Sequence, residues 1–287
     1  MRTWWLGIGA SLIAGGALAA DPPMLAQMNS PHAPFKLTDE IYYVGTKDVT
    51  AFAIDTGAGL IVTDGGFEQT APQIIANLKT LGFDIKNVKI LLNSHGHVDH
   101  AGGLAPLKAA SGATFYAARG DAAVLESGGA ADFALGGGKL QFPAIKPDIV
   151  FDDGAKIKLG KVELTEHVTA GHTRGCSSWT MTAHIGGKPA NVLFICSLTV
   201  LPMYSLVTKP SYPGIADDFK KSIATLRAQP CEVFLSSHAR FFTLEDKYKK
   251  VQAGTKDAFI DPAGCKAFID GAEKNVNAQI AKERATK

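Results

Sequence analysis

Val88-Lys89-Ile90-Leu91-Leu92 leads through Asn93-Ser94 into His95-Gly96-His97-Val98-Asp99-His100, and this last stretch puts four metal-ligating side chains within six residues. The apolar run, broken only by Lys89, reads as a buried strand that turns into a helix. That geometry sets His95 and His97 on one side, with Asp99 and His100 facing another at the helix start. Imidazole and carboxylate suit zinc, at roughly 2.0–2.2 Å. One tetrahedral ion cannot comfortably take four ligands from so short a segment. The pattern therefore predicts two neighbouring metals, each completed by histidines from elsewhere. Three of the eight histidines of the chain lie here, which weighs against an ordinary polar turn.

Working outward, 35–44, 51–54 and 60–63 read as strands, the last two split by the turn Gly57-Ala58-Gly59. Asp64 follows, placed either to support a metal-binding histidine from behind or to cap its own turn. Ile74, Ile75, Leu78 and Leu81 predict a helix over 70–81, stopped by Gly82. Beyond the cluster come a helix over 101–110, a strand over 114–117 and a helical turn over 122–126. The glycine-rich loop Gly128–Gly138 is next, read as a pocket wall or as a plain surface excursion. Two alternating strands between Asp148 and Val168, joined at Leu159-Gly160, lead to Gly171-His172-Thr173-Arg174-Gly175. A hairpin pairs 179–183 with 192–195 around Gly186-Gly187. A helix over 217–228, a strand over 232–235 ending at Ser236-Ser237-His238, and a helix over 265–282 complete the chain, while 20–34 reads as an extended arm. The order suits two packed sheets with helices outside, which would gather histidines from successive strand ends along one edge.

With 46% hydrophobic residues in 287, a sizeable core is available, and the net charge of +2 gives no case for nucleic acid or anionic membrane. A small-molecule substrate is expected. Met1-Arg2, an apolar stretch from Trp4 to Ala20 and small residues at Ala17 and Ala19 predict a signal peptide over 1–19, cut near Ala19 or Ala20. The rival, an uncleaved anchor, is disfavoured by the shortness of the stretch and by Gly7, Gly9, Gly15 and Gly16. The mature chain, one domain over 20–287, is expected in the periplasm without membrane attachment and as a monomer. Export favours disulfides for the four cysteines, which allow three pairings that spacing alone does not choose between. The hairpin would set Cys176 opposite Cys196, leaving Cys231 with Cys265; buried free thiols are the alternative.

The segments His95-x-His97-x-Asp99-His100-Ala101-Gly102-Gly103, Gly171-His172-Thr173, Cys196-Ser197-Leu198-Thr199 and Ser237-His238 resemble the metallo-β-lactamase superfamily, more narrowly the third subclass of the class B β-lactamases. The resemblance runs from Phe35 to the C-terminal helix and includes both cysteine pairs. It implies an α+β, four-layer αβ/βα sandwich of two mixed sheets. It implies two Zn2+, the first held by His95, His97 and His172, the second by Asp99, His100 and His238. A hydroxide between them, with Asp99 orienting it, would open a β-lactam amide without a covalent intermediate. Ser197 and Thr199 would hydrogen-bond the substrate carboxylate; as plain hairpin-end residues they need no such role. Many relatives carry Pro where Arg174 stands, so Arg174 could add positive charge near the site. His32, His167 and His184 are expected to be non-ligands.

Two alternatives remain at this level. A glyoxalase-like thioesterase or a lactonase of the same superfamily typically places a metal-bridging Asp where Cys196-Ser197 stands, and no carboxylate is offered there. A non-catalytic exported zinc-binding protein is disfavoured by a full ligand set with an open bridging position, since structural sites are normally closed. A metal-dependent nuclease lacks the basic face it would need.

Overall fold

Alternate residues of the central strands face two different cores. Ile61, Ile90 and Leu92 pack with Leu164, Trp179 and Phe194, whereas Val62, Leu91 and Phe115 pack with Ile74, Leu78, Leu104 and Leu107. Such strands read as unbroken apolar runs because both of their faces leave water. The computed structural model describes residues 23–138 and 140–286, and the leader expected over 1–19 lies outside them. Strands β1 (Phe35–Lys36), β2 (Ile41–Tyr43), β3 (Phe52–Asp55), β4 (Leu60–Thr63), β5 (Val88–Leu92), β6 (Thr114–Ala118) and β7 (Ile149–Phe151) lie side by side in that order. They are antiparallel from β1 to β4 and parallel from β4 to β7. Strands β8 (Lys156–Leu159), β9 (Val162–Val168), β10 (Ser177–Ile185), β11 (Lys188–Ile195) and β12 (Val233–Ser236) form the second sheet, antiparallel except for β11 beside β12. The helix Pro262–Ala285 packs outside on β12 and on the helix Ile215–Arg227. This is the expected α+β sandwich of two mixed sheets with outer helices.

Local departures from the sequence pattern have physical causes. The strand expected over 35–44 is broken into β1 and β2, because Thr38 Oγ1 accepts the Ile41 N–H at 3.0 Å and folds 37–40 into a turn. The segment 148–168 holds three strands rather than two, and the first of them, β7, belongs to the other sheet. The helix expected over 101–110 is split into Val98–Ala101 and Leu104–Ser111 at Gly102-Gly103. A Cβ on Gly103 would fall 2.1 Å from the Gly65 carbonyl oxygen, so only glycine lets the β4 end approach the helix start. Pro23–Met28 forms a short helix within the arm, and Leu244–Gln252 is a helix that the sequence pattern did not show.

Gly186 and Gly187 both take positive φ, 58° and 79°, as the two-residue hairpin between β10 and β11 requires. Pairing of Trp179 with Phe194 puts the hairpin centre between those glycines, so the extended register sets Cys176 across from Ser197 rather than Cys196. The Cys176–Cys196 disulfide spans that one-residue offset with Cα atoms 5.8 Å apart, and Cys231 bonds to Cys265 with Cα atoms 6.5 Å apart. Among the described residues no helix is long and apolar enough to cross a membrane.

One core position carries a carboxyl. Glu166 of β9 is fully buried, and its oxygens have no hydrogen-bond partner among the described residues. Burial, helped by the nearby Asp153 charge, pushes its pKa up to about 8. An acid whose folded pKa lies above its unfolded value of about 4.3 stabilises the fold fully only below the unfolded value. That contribution is lost as pH rises toward about 8 and beyond, because the native state must then bury a charge. Thermal unfolding of wild type and Glu166→Gln should therefore diverge in favour of the variant between about pH 5 and about pH 9. A gap that does not change with pH would show that Glu166 does not titrate in the native state.

Candidate metal centre

The histidines of the two halves meet at one edge of the sandwich. His95 and His97 follow β5, His172 follows β9, and His238 follows β12. His97 caps the short helix Val98–Ala101, which turns Asp99 and His100 inward from its first turn. Ring centroids of His95 lie 4.8 Å from His97 and His172 and 4.2 Å from His100, and His100 lies 4.9 Å from His238.

Each of the five imidazoles turns one ring nitrogen outward to an oxygen. His172 Nδ1 donates to the Thr199 carbonyl at 2.8 Å. His238 Nδ1 donates to Asp48 at 3.1 Å, and Arg240 pairs with the same carboxylate. His100 Nδ1 faces Asp64 Oδ2 at 3.3 Å. His95 Nδ1 lies 3.1 Å from Ser94 Oγ; that hydroxyl already donates to Asp64 at 2.7 Å, so it accepts from His95. His97 Nε2 faces Asp132 Oδ2 at 3.5 Å. By elimination the inward atoms are Nε2 of His95, His100, His172 and His238, and Nδ1 of His97. Outward hydrogen bonds of this kind fix ring orientation and tautomer for a metal.

The inward atoms form two groups that adjoin at His95, whose ligand atom also lies within 4.8 Å of those of Asp99 and His100. Ligand atoms of His95, His97 and His172 all lie within 4.8 Å of one another. His100 Nε2 is 3.4 Å from both His238 Nε2 and Asp99 Oδ2, and His238 Nε2 is 3.6 Å from Asp99 Oδ2. Ligands placed tetrahedrally around zinc at about 2.0–2.1 Å stand about 3.3–3.4 Å apart, so this second triangle fits that ion. A further grouping, His95 with Cys176 and Cys196, has its sulfurs committed to the disulfide, with Cys196 Sγ 3.6 Å from His95 Nδ1.

Electrostatics agree with a cation between these groups. Burial, followed by the neighbouring imidazoles, pushes His95 and His172 well below the ordinary histidine range, which leaves their lone pairs free. Burial with His100 beside it brings His238 down to about 4. Burial opposes charge on His100, but Asp99 and Asp64 outweigh it and raise its pKa to about 10. Burial likewise opposes charge on Asp99, and the facing imidazoles hold it far below the usual carboxylate range. Three imidazoles thus keep unprotonated nitrogens beside an ionised Asp99, the donor set a cation would need.

Asp64, expected behind a histidine, does stand behind His100. Its backbone is left-handed at φ 59°, and it accepts Ser94 N–H at 2.6 Å and Asn93 Nδ2–H at 3.0 Å. Ser197 is buried with its Oγ accepting Thr199 N–H at 3.3 Å, while Thr199 is exposed at the rim. Arg174 is exposed and stacks its guanidinium on Tyr212, 4.9 Å from the ring centroid. His32, His167 and His184 contact Glu245, Thr180 and Glu40 respectively and take no part in these clusters. Sequence reasoning missed Asp48, Asp121 and Asp132, which lie in loops or helix starts without a repeating pattern.

The chain shares this arrangement with known proteins. The model of the metallo-beta-lactamase superfamily matches residues 44–238. The chain belongs to the metallo-β-lactamase superfamily. Native FEZ-1 metallo-β-lactamase from Legionella gormanii is 38% identical, with 89% of this chain and 98% of that chain covered and a TM-score of 0.87. BJP-1, a subclass B3 metallo-β-lactamase of Bradyrhizobium japonicum, is 35% identical over 91% of this chain and 98% of its own, with a TM-score of 0.84. The class B3 di-zinc metallo-β-lactamase LRA-12 from an Alaskan soil metagenome is 31% identical over 88% of this chain and 96% of its own, with a TM-score of 0.84. A curated relative, hydroxyacylglutathione hydrolase of Methylococcus capsulatus, is 27% identical over 158 residues, 53% of this chain. The chain spans half the length of that relative, at 50%. Among metallo-β-lactamases, then, this hydrolase resembles the B3 subclass.

The candidate centre is held together by Asp121, fully inside at the start of the helix Arg119–Glu126. It accepts Gly96 N–H and Gly175 N–H at 2.8 Å each and Thr173 Oγ1–H at 2.7 Å, tying the His95–His100 segment to the His172 loop. Burial raises its pKa against those three donors. Replacing Asp121 by Ala strands buried donors, each costing about 1–3 kcal/mol. Urea unfolding of Asp121→Ala should show a loss of roughly 2–5 kcal/mol. A loss below about 0.5 kcal/mol would mean that the loops close without it.

Proposed function

We propose that this metallo-β-lactamase superfamily member is an exported zinc-dependent enzyme that hydrolyses the amide bond of β-lactams. The observation that carries the reading is the end of β11: Cys196 is locked to Cys176 and is followed by Ser197, with no carboxylate to bridge two ions. That departs from the thioesterase and lactonase pattern and goes with the B3 relatives. His95, His97 and His172 would hold one zinc, and Asp99, His100 and His238 the other. Bound there, two zinc ions supply Lewis acidity for a carbonyl oxygen and an activated water at neutral pH.

The side chains supply the rest. Asp99, kept ionised by the imidazoles around it, can accept a hydrogen bond from the attacking water and orient it. Thr199, at the exposed rim, would donate to a substrate carboxylate, while Ser197 shapes the loop that presents it. No side-chain nucleophile is required, so no covalent intermediate forms. A second reading, a glyoxalase-like thioesterase, draws on the hydroxyacylglutathione hydrolase match.

The test is direct. Zinc-loaded protein should cleave a chromogenic cephalosporin, lose that activity on chelation and regain it with zinc. Cleavage of a glutathione thioester alone would favour the second reading, and activity that survives chelation would remove the metal mechanism. Asp99→Asn should lower kcat by about 100-fold or more even at saturating zinc, as for loss of the group that positions the water, and should weaken binding of the ion that Asp99 would help hold. We further propose that residues 1–19 are removed on export to the periplasm, so N-terminal sequencing of the exported protein should begin at or next to Ala20.

A further inference from the structure

The glycine-rich loop Gly128–Gly138 carries one acidic side chain, and it is not on the surface. Asp132 is 8% exposed. Its Oδ1 accepts Ala134 N–H at 2.8 Å and Leu135 N–H at 2.6 Å, which commits that oxygen to the loop's own turn. Its Oδ2 points instead at His97 Nε2, 3.5 Å away, and neither buried atom has a hydrogen-bond partner among the described residues. At that distance the contact sits at the outer limit of a hydrogen bond, and such contacts tighten when a site is occupied.

We propose that Asp132 is a positioning residue for the metal centre, holding the His97 ring so that Nδ1 faces the metal; this rests on the zinc reading above. Three of the other imidazoles take their outer partners from beside a strand end or another ligand, Ser94, Asp64 and Thr199, and His238 takes Asp48 from the loop between β2 and β3. His97 takes its partner from a loop that contributes no metal ligand. That loop has anchors besides the His97 contact. Phe133 packs against Tyr204 and Tyr212, with ring centroids 5.1 and 4.8 Å apart, and Gly129 N–H donates to Val124 at 2.8 Å. The inward face of the His97 ring meets His95 and His172, which offer rings and not a second anchor. Asp132 therefore links a wall of the pocket to the orientation of one ligand.

The experiment compares zinc affinity, by chelator competition, and the visible spectrum of the Co(II)-substituted protein. Asp132→Asn is isosteric: its oxygen can still serve the turn, but its amide would then set a donor against His97 Nε2–H. Asp132→Ser keeps a short acceptor for the turn and cannot reach His97. Both variants should bind one of the two ions about 10–100-fold more weakly and show altered Co(II) bands. Phe133→Ala loosens the loop that carries Asp132 but leaves the carboxylate in place, and should weaken zinc binding by less than the Asp132 variants do. Wild-type affinity and spectrum in the Asp132 variants would overturn the proposal, as would an equal loss in Phe133→Ala. A wild-type chain that takes up no zinc would overturn the zinc reading itself, and this inference with it.

Discussion

Five imidazoles buried edge to face in one cavity are the constraint on which this structure depends. Left alone, they would repel when protonated and rotate when neutral. The fold answers both problems with the same device, one outward nitrogen of each ring set against an oxygen held by the scaffold, hydrogen-bonded for His95, His172 and His238 and at 3.3 and 3.5 Å for His100 and His97. Asp64 serves two of them, His100 directly and His95 through Ser94, from a left-handed backbone position that β4 and the glycine contact at Gly103 enforce. Asp99 is then the one carboxylate among the inward atoms, and the imidazoles around it keep it ionised.

The walls of the pocket are tethered by the same kind of bond. Asp121 joins the two histidine loops from opposite sheets. On the other side, Glu283 of the C-terminal helix accepts the Leu206, Val207 and Thr208 N–H groups, at 2.8, 2.8 and 3.1 Å. Burial opposes its charge, yet those donors hold its pKa down to about 2, so it stays a carboxylate. The segment after Thr199 is thereby pinned, and Tyr204 in it donates to the His172 carbonyl at 2.6 Å. A loop so held presents Thr199 at the rim rather than folding over the histidine cluster.

Much of this was legible along the chain. The apolar run into His95–His100 marked a buried strand feeding a ligand cluster, because burial on both faces leaves no polar alternation to see. Gly186-Gly187 marked a hairpin because its turn needs two positive φ values. Less legible were features made by contacts distant in sequence. Thr38 breaks an otherwise strand-like stretch through its own hydroxyl, and Gly102-Gly103 breaks a helix because Gly65 needs the space. The helix Leu244–Gln252 was missed because its fully buried residues are Leu244 and Lys247, whose Nζ is buried against Asp261, and these leave no apolar period.

The sequence by itself determined which side chains can bind a metal and that they would stand at strand ends, since ligand chemistry and hydrophobic period are local properties. Only the tertiary structure decided which nitrogen of each histidine faces inward. That choice is made by Asp48, Asp64, Asp132 and the Thr199 carbonyl, whose positions follow from how two sheets pack and from no pattern within any one segment.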